Sequence, residues 1–217
     1  KEKTSILRSN EGDGEMLILG ICGASASGKS TLARGIADML GGRAQVISMD
    51  AYYKNHPELS MEQKRRLNYD VPEAFATDEF YNDILALSDG KPITTKVYDF
   101  KTHSRVDCDT LIMPHDVLIL EGIHVFADPR LLSMMDIKFY VDVDADTCLA
   151  RRVERDIVER KRDVQDVCRQ YLATVKPSFD KIIHHYKEHC DVCVMGGGEN
   201  TVAIRMAAAY IDVLLNK

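Results

Sequence analysis

Gly23-Ala24-Ser25-Ala26-Ser27-Gly28-Lys29-Ser30 fills every fixed position of the spacing G-x-x-x-x-G-K-[ST], with Thr31 next in the chain. Glycines at the two ends let the backbone curl so that its N–H groups point at phosphate oxygens. Lys29 adds a point charge for β- and γ-phosphates, and Ser30 offers a hydroxyl to Mg²⁺. A chance Gly/Ser turn would lack the flanking pattern seen here. Leu17–Cys22 is a continuous apolar run ahead of the loop, and Leu32, Ile36, Met39 and Leu40 follow at helical spacing. The helix directs its positive end at the same phosphates.

Two carboxylates end apolar runs: Asp50 closes Ile47-Ser48-Met49, and Glu121 closes Leu118-Ile119-Leu120. In open α/β sheets ligands bind beyond the carboxyl ends of the strands. One of these acids can hold Mg²⁺ and the other can take a proton from an attacking hydroxyl; the plain alternative is an acid that starts a turn. Arg152, Arg155, Glu159 and Arg162 recur at steps of 3, 4 and 3, which places them on one helical stripe flanked by Arg151, Arg160 and Lys161. Such a stripe is either a solvated face paired with Glu154, Asp156 and Glu159, or a lid whose arginines stabilise a transferring phosphate. Downstream of a phosphate loop, the lid is the expectation. No N-K-x-D sequence for guanine is present, since Asn-Lys occurs only at Asn216-Lys217. Glu121 is followed by Gly122 rather than by a second acid, which argues against an ATPase motor.

The elements that must position these residues follow from periodicity. Buried strands are expected at Leu17–Cys22, Val46–Met49, Val117–Leu120, Ile137–Val143 and Asp191–Met195. Helices are expected at Ser30–Leu40, over most of Met61–Gly90 with a break at Pro72, at Asp146–Lys161, at Val164–Thr174 closed by Lys176-Pro177, and at Thr201–Leu215. Ile93–Met113 alternates and reads as an extended hairpin. Alternating strands and helices predict an α/β layered fold with a mostly parallel sheet over residues 16–217. Lys1–Glu15 is polar and is expected to be a flexible leader or a trimmed remnant.

Composition agrees. The 217 residues, 45% hydrophobic, suffice for one core, and the net charge of −6 argues against a nucleic-acid binder. No apolar run reaches the roughly 18 residues of a membrane span. Six scattered cysteines fit a cytoplasmic protein with reduced thiols. Cys190-x-x-Cys193, below His184, His185 and His189, has zinc-ligand residue types, but without a second cysteine pair the expectation is structural thiols in a buried strand.

In this order the pieces resemble the uridine kinase (uridine–cytidine kinase) family, within the wider group that includes phosphoribulokinase. The resemblance rests on Gly23–Ser30, Ser48–Tyr53, Asn68–Phe75, Val97–Arg105, Glu121–Ile123, Arg151–Asp163, Gln170-Tyr171, Val175–Pro177 and Gly197–Asn200. It implies a P-loop kinase fold with a five-stranded, mostly parallel sheet, a hairpin insertion and a helical lid. It implies ATP, or GTP, as phosphate donor with Mg²⁺. The resemblance makes Asp50 the base for a ribose 5′-hydroxyl, close to the metal, with Ser30 and Glu121 as metal-side ligands and Lys29 on the phosphates. Asp70 would hold ribose hydroxyls. Tyr98, Phe100 and His103 would contact the pyrimidine, and Tyr53 would also bind the substrate. Arg152, Arg162 and Gln170 would help bind the nucleoside, Arg155 and Arg160 would lie nearer the phosphates, and Glu199 would lie near the ATP base. A homotetramer in the cytoplasm, without nucleic-acid or membrane partners, is also implied.

Two segments depart from the family pattern. Lys161 stands where the family usually has Gly, and Gly196–Gly198 stands where it often has Pro. The expected activity is phosphorylation of the 5′-hydroxyl of uridine or cytidine. The alternatives are a phosphoribulokinase-like enzyme for another small hydroxyl acceptor, or a silent nucleotide-binding module.

Overall fold

The computed structural model describes residues 16–216; the expectation for Lys1–Glu15 lies outside them. Leu17–Gly23 (β1) is buried at every position, as a strand covered on both faces must be. Its side chains alternate between two cores. Leu17, Leu19 and Ile21 pack with Leu32, Ile36 and Ile211, while Ile18 and Cys22 pack with Phe80, Ile84 and Phe126. The central sheet contains β1, Ala44–Ser48 (β2), Val117–Glu121 (β5), Ile137–Asp142 (β6) and Val192–Met195 (β7), in the order β2-β5-β1-β6-β7, all parallel. Lys29–Leu40 (α1) and Thr201–Leu215 (α8) cover one face. Thr77–Ser88 (α3) and the segment around Ile183 and Tyr186 cover the other.

Ile93–Asp99 (β3) and Ser104–Ile112 (β4) form a separate antiparallel hairpin. It is fastened to α3 by charge. Arg105 donates from both terminal nitrogens to Glu79 at 2.7 and 2.8 Å, the two-pronged geometry that fixes orientation as well as distance. Lys96 pairs with Asp83, which also accepts from the Tyr52 hydroxyl at 2.8 Å.

Four expectations need correction. The stretch Met61–Gly90 is α-helical only at Met61–Arg66 (α2) and α3. Between them Pro72–Ala74 makes a single 3-10 turn, and the chain then pairs with the segment after β2: Lys54 donates to the Ala74 carbonyl and Ala76 to the Tyr52 carbonyl, both at 2.8 Å. The charged helix (α5) covers Ala145–Val158, not Asp146–Lys161. Lys176-Pro177 does not end a helix. Val164–Gln170 (α6) passes through a widened turn, Tyr171–Val175, into Lys176–Lys181 (α7). The Lys176 N–H reaches back five residues to the Tyr171 carbonyl, and the widened turn accommodates the absence of an N–H donor at Pro177. Finally, β7 is not buried: Val192 and Met195 are 43% and 61% exposed because β7 is an edge strand, and only Val194 faces the core. Pro129–Met134 (α4), capped by Asp128, completes the elements. Among the described residues no helix is long and apolar enough to cross a membrane, and no cluster of three or more His, Cys, Asp or Glu is arranged to hold a metal.

One contact between loops is close enough to test. A Cβ on Gly198 would lie 2.0 Å from the Gly28 carbonyl oxygen and 2.7 Å from the Thr31 Cβ. Both obstacles belong to the start of α1 and cannot swing aside. Gly198→Ala should therefore lower the unfolding free energy by roughly 1–3 kcal/mol. Gly42→Ala, where nothing lies within 4 Å, should have little effect. Urea unfolding of the two variants checks this, and equal midpoints would contradict it.

Candidate active site

The phosphate loop gets its shape from left-handed backbone. Gly28 has φ 100° and Ala26 has φ 63°. Gly28 starts α1 and its carbonyl accepts from Leu32 at 2.9 Å. Lys29 is buried, with its ammonium on the Ala24 carbonyl at 2.8 Å. In front of the loop lies a cavity of about 480 Å³, lined by Ser25, Ala26 and Gly28 through Thr31. Gly23, Ala24 and Ser27 are not part of its lining: they form the rear of the loop, where Gly23 abuts the Val141 carbonyl and Ser27 is buried.

The ends of β2 and β5 deliver the two carboxylates. Asp50 sits in a tight turn past β2, its N–H held by the Ser48 hydroxyl at 3.3 Å. Glu121 ends β5 and is buried. Burial raises the Glu121 carboxyl above the ordinary range and the nearby charge of Asp50 raises it further, while Lys29 and hydrogen bonds from Ser48 and Ser30 pull the other way. Asp50, the buried Glu121 and the Ser30 hydroxyl together make an all-oxygen site that suits a hard divalent cation.

On the far side of the same cavity, the hairpin and the Asn68–Asp70 segment contribute Tyr98, Phe100, His103, Tyr69 and Asp70, with Tyr53 beneath them. Tyr53 stacks on Phe75 at 4.2 Å and lies 4.9 Å from Tyr98. His103 occupies the hairpin tip at φ 48° and stacks on Tyr69 at 4.9 Å and 19°. Its Nδ1 is buried without a hydrogen-bond partner. Burial holds its imidazole below the usual histidine range, and the charges of Arg162 and Lys64 add to that, so the ring is neutral at pH 7. Asp70 is buried, which raises its carboxyl; Arg152 opposes the shift, as does the Thr174 hydroxyl, which donates to Asp70 at 3.2 Å.

The lid differs from a simple stripe. Asp156 is fully buried, and four arginines converge on it. Arg155 contacts Oδ1 at 3.0 Å, Arg160 Oδ1 at 3.2 Å, Arg162 Oδ2 at 3.1 Å and Arg152 Oδ2 at 4.0 Å. Burial alone would raise this carboxyl, but the arginines outweigh it and hold the group low. Arg162 is not on α5. The chain leaves the helix at Val158, turns through Lys161 at φ 55°, and returns Arg162 to Asp156. That left-handed angle gives a physical reason why glycine suits the position. Arg152 reaches the phosphate loop through Ser25 at 2.8 Å, and Gln170 accepts from both Arg152 and Arg162. Arg160 lies over the Phe100 ring at 3.8 Å, joining lid to hairpin by a cation–π contact. Glu199 lies in the cavity wall beside Gly198.

Every other predicted site residue thus lines one cavity. Sequence reasoning missed Tyr69, Thr174, Arg34 and Ile123, and gave Asp156 only as a surface partner. The signal for Asp156 was present in its spacing, four residues from Arg152 and four from Arg160.

A model of the Phosphoribulokinase / Uridine kinase family matches residues 18–203. The chain belongs to that family. Curated relatives include a uridine kinase of Limosilactobacillus reuteri, 41% identical over 93% of each chain. Another, from Latilactobacillus sakei, is 43% identical over 92% of this chain and 95% of its own. The structure described as a possible uridine kinase from Bacillus stearothermophilus shares the fold, with a TM-score of 0.59 over 84% of this chain and 90% of its own, at 17% identity. Membership of the phosphoribulokinase/uridine kinase family carries with it the P-loop kinase fold and an NTP phosphate donor.

The arginine cluster yields a prediction. Asp156→Asn removes the shared negative charge and should lower stability by about 3 kcal/mol. That is the lower end for breaking a buried ion pair, because Arg155 and Arg162 keep some contact with solvent. A denaturation midpoint equal to that of the unaltered chain would contradict it.

Proposed function

We propose that this kinase transfers the γ-phosphoryl group of ATP to the 5′-hydroxyl of uridine or cytidine. The observation that carries the reading is the single cavity in which the phosphate loop, two strand-end acids and an aromatic hairpin pocket with a neutral histidine meet. The 39–43% identity to proteins named uridine kinase supports it. GTP is the alternative donor.

In this reading the attacking 5′-oxygen bonds to the γ-phosphorus, the bond to the β–γ bridging oxygen breaks, and ADP leaves. Asp50 accepts the hydroxyl proton. Lys29 exchanges the Ala24 carbonyl for phosphate oxygens, and the loop N–H groups bind the phosphates. Ser30, Asp50 and Glu121 would hold Mg²⁺, which supplies charge neutralisation on the β- and γ-phosphates. Four guanidiniums facing one carboxylate leave a surplus of positive charge at the lid, and Arg155 and Arg160 direct it at the phosphates. Arg152, Arg162 and Gln170 close over the nucleoside. Asp70 accepts hydrogen bonds from ribose hydroxyls. Tyr53, Tyr98 and Phe100 pack the pyrimidine. The His103 imidazole meets position 4 of the ring as donor to a carbonyl or acceptor from an amino group, which suits both pyrimidines. Glu199 lies toward the ATP base. We read residues 16–217 as one catalytic domain of a cytoplasmic pyrimidine-salvage enzyme that assembles as a homotetramer, a reading that follows the family resemblance.

Asp50→Asn should slow turnover by roughly 10²–10⁴-fold, the scale of a positioned base, in an ADP-release assay with saturating uridine. Near-normal turnover would remove Asp50 from that role. His103→Ala should raise the nucleoside KM by roughly 5- to 150-fold, the scale of one buried hydrogen bond, with the ATP KM unchanged. Burial lowers the His103 pKa below the ordinary histidine value, so the ring is neutral above pH 7. The nucleoside KM of the unaltered enzyme should therefore be flat between pH 8 and 7, and should begin to rise at a lower pH than a histidine of ordinary pKa, about 6.5, would give. A rise between pH 8 and 7 would contradict a neutral reading group.

A further inference from the structure

His124 lies three residues beyond Glu121, where the chain leaves β5, and is fully buried. It does not line the cavity, although its neighbour Ile123 does. The ring sits edge-on to Phe75 at 5.7 Å and to Tyr186 at 5.8 Å. Both nitrogens are engaged: Nε2 is 2.8 Å from the Asp70 carbonyl oxygen, and Nδ1 is 3.1 Å from the Tyr186 hydroxyl.

The partners assign the protons. A carbonyl only accepts, so Nε2 carries the hydrogen and donates to Asp70. Nδ1 of that tautomer is an acceptor, so the Tyr186 hydroxyl donates to it. Burial pushes the His124 pKa down to about 4, against the pull of the Asp70 hydrogen bond, so this neutral form is the one present at pH 7.

Three other contacts converge on the same short segment. The Asp70 N–H donates to the Asn68 side chain at 2.9 Å, the Asp70 carboxylate accepts from Thr174 at 3.2 Å, and Asn68 donates to Ser178 at 3.3 Å. His124 is the member of this set that comes from the sheet. It ties the strand end carrying Glu121 to the backbone of a residue on the opposite side of the cavity.

We propose that His124 is a positioning residue for the acceptor: oriented by the Tyr186 hydroxyl, its Nε2–H fixes the Asp70 backbone so that the carboxylate faces the sugar hydroxyls. The inference rests on the reading of Asp70 as the ribose-binding acid. It predicts an effect on the nucleoside and none on ATP, because the hydrogen bonds lead to Asp70 and stop short of the phosphate loop.

Steady-state kinetics on the full chain test it. His124→Leu should raise the nucleoside KM roughly tenfold or more, the scale of one lost buried hydrogen bond, with the ATP KM within about twofold of its starting value. His124→Gln, whose amide can donate to the Asp70 carbonyl, should recover most of the loss. Tyr186→Phe should show a smaller rise. Adding His124→Leu to Asp70→Asn should cost little beyond Asp70→Asn alone, because both act through one group. If Asp70→Asn raises the nucleoside KM while His124→Leu does not, or if His124→Leu raises both constants together, the positioning role is overturned and the Asp70 reading stands. If Asp70→Asn itself leaves the nucleoside KM unchanged, the ribose reading falls and the proposal falls with it. Should His124→Leu fail to fold, His124→Gln and Tyr186→Phe decide: Tyr186→Phe at the original nucleoside KM overturns the proposal, and a selective rise supports it.

Discussion

Asp156 is the point on which the lid depends. A carboxylate without solvent contact is tolerable only if its charge is met, and four guanidiniums meet it. The excess of arginine over carboxylate has a functional consequence. The cluster is held together by one acid but is not neutralised by it, so it presents positive charge to the cavity before any ligand arrives. Such charge is preorganised: it needs little rearrangement when phosphate binds. The arginines are also spoken for individually. Arg152 touches Ser25, Arg162 shares Gln170, and Arg160 lies on Phe100. Through them the lid contacts the phosphate loop on one side and the hairpin on the other.

The acceptor side is built by the opposite means. The hairpin has no place in the central sheet; Ile93 and Tyr98 seat it in the core, and Arg105 with Glu79 and Lys96 with Asp83 fix it on α3. Its tip then presents His103 in a left-handed conformation against Tyr69. Backbone in this region is uncommon outside glycine, with histidine among the better tolerated residues. Past the end of β5 lies the buried His124, whose Nε2 donates to the Asp70 carbonyl while its Nδ1 accepts from the Tyr186 hydroxyl.

Much of this was legible in the sequence because local signals carried it. The phosphate loop is one contiguous motif, and β1, β5 and β6 are apolar runs whose burial on both faces leaves little other choice of element. Asp50 and Glu121 stood out as acids ending apolar runs, whereas the hairpin residues Tyr98, Phe100 and His103 were singled out by the family resemblance. What escaped depended on how the chain turns and packs. The exposure of β7 follows from its place at the sheet edge, which its composition does not record. Arg162 matched a helical step but belongs to a returning loop, because Lys161 turns the chain. Pro177 read as a stop, yet a widened turn carries the helix past it. Asp156 looked like one more surface acid: its arginines are near in sequence, but its burial is a tertiary fact and Arg162 reaches it only because the chain turns at Lys161. His124 carried no motif at all.

Everything at the acceptor side of the cavity turns on a pyrimidine nucleoside as the group that receives phosphate. The most direct measurement is ADP release from ATP and Mg²⁺ with uridine, cytidine and ribulose 5-phosphate offered in turn. Acceptor-dependent release is expected with uridine, cytidine or both, and none above background with ribulose 5-phosphate. Turnover of ribulose 5-phosphate without turnover of either nucleoside would contradict it.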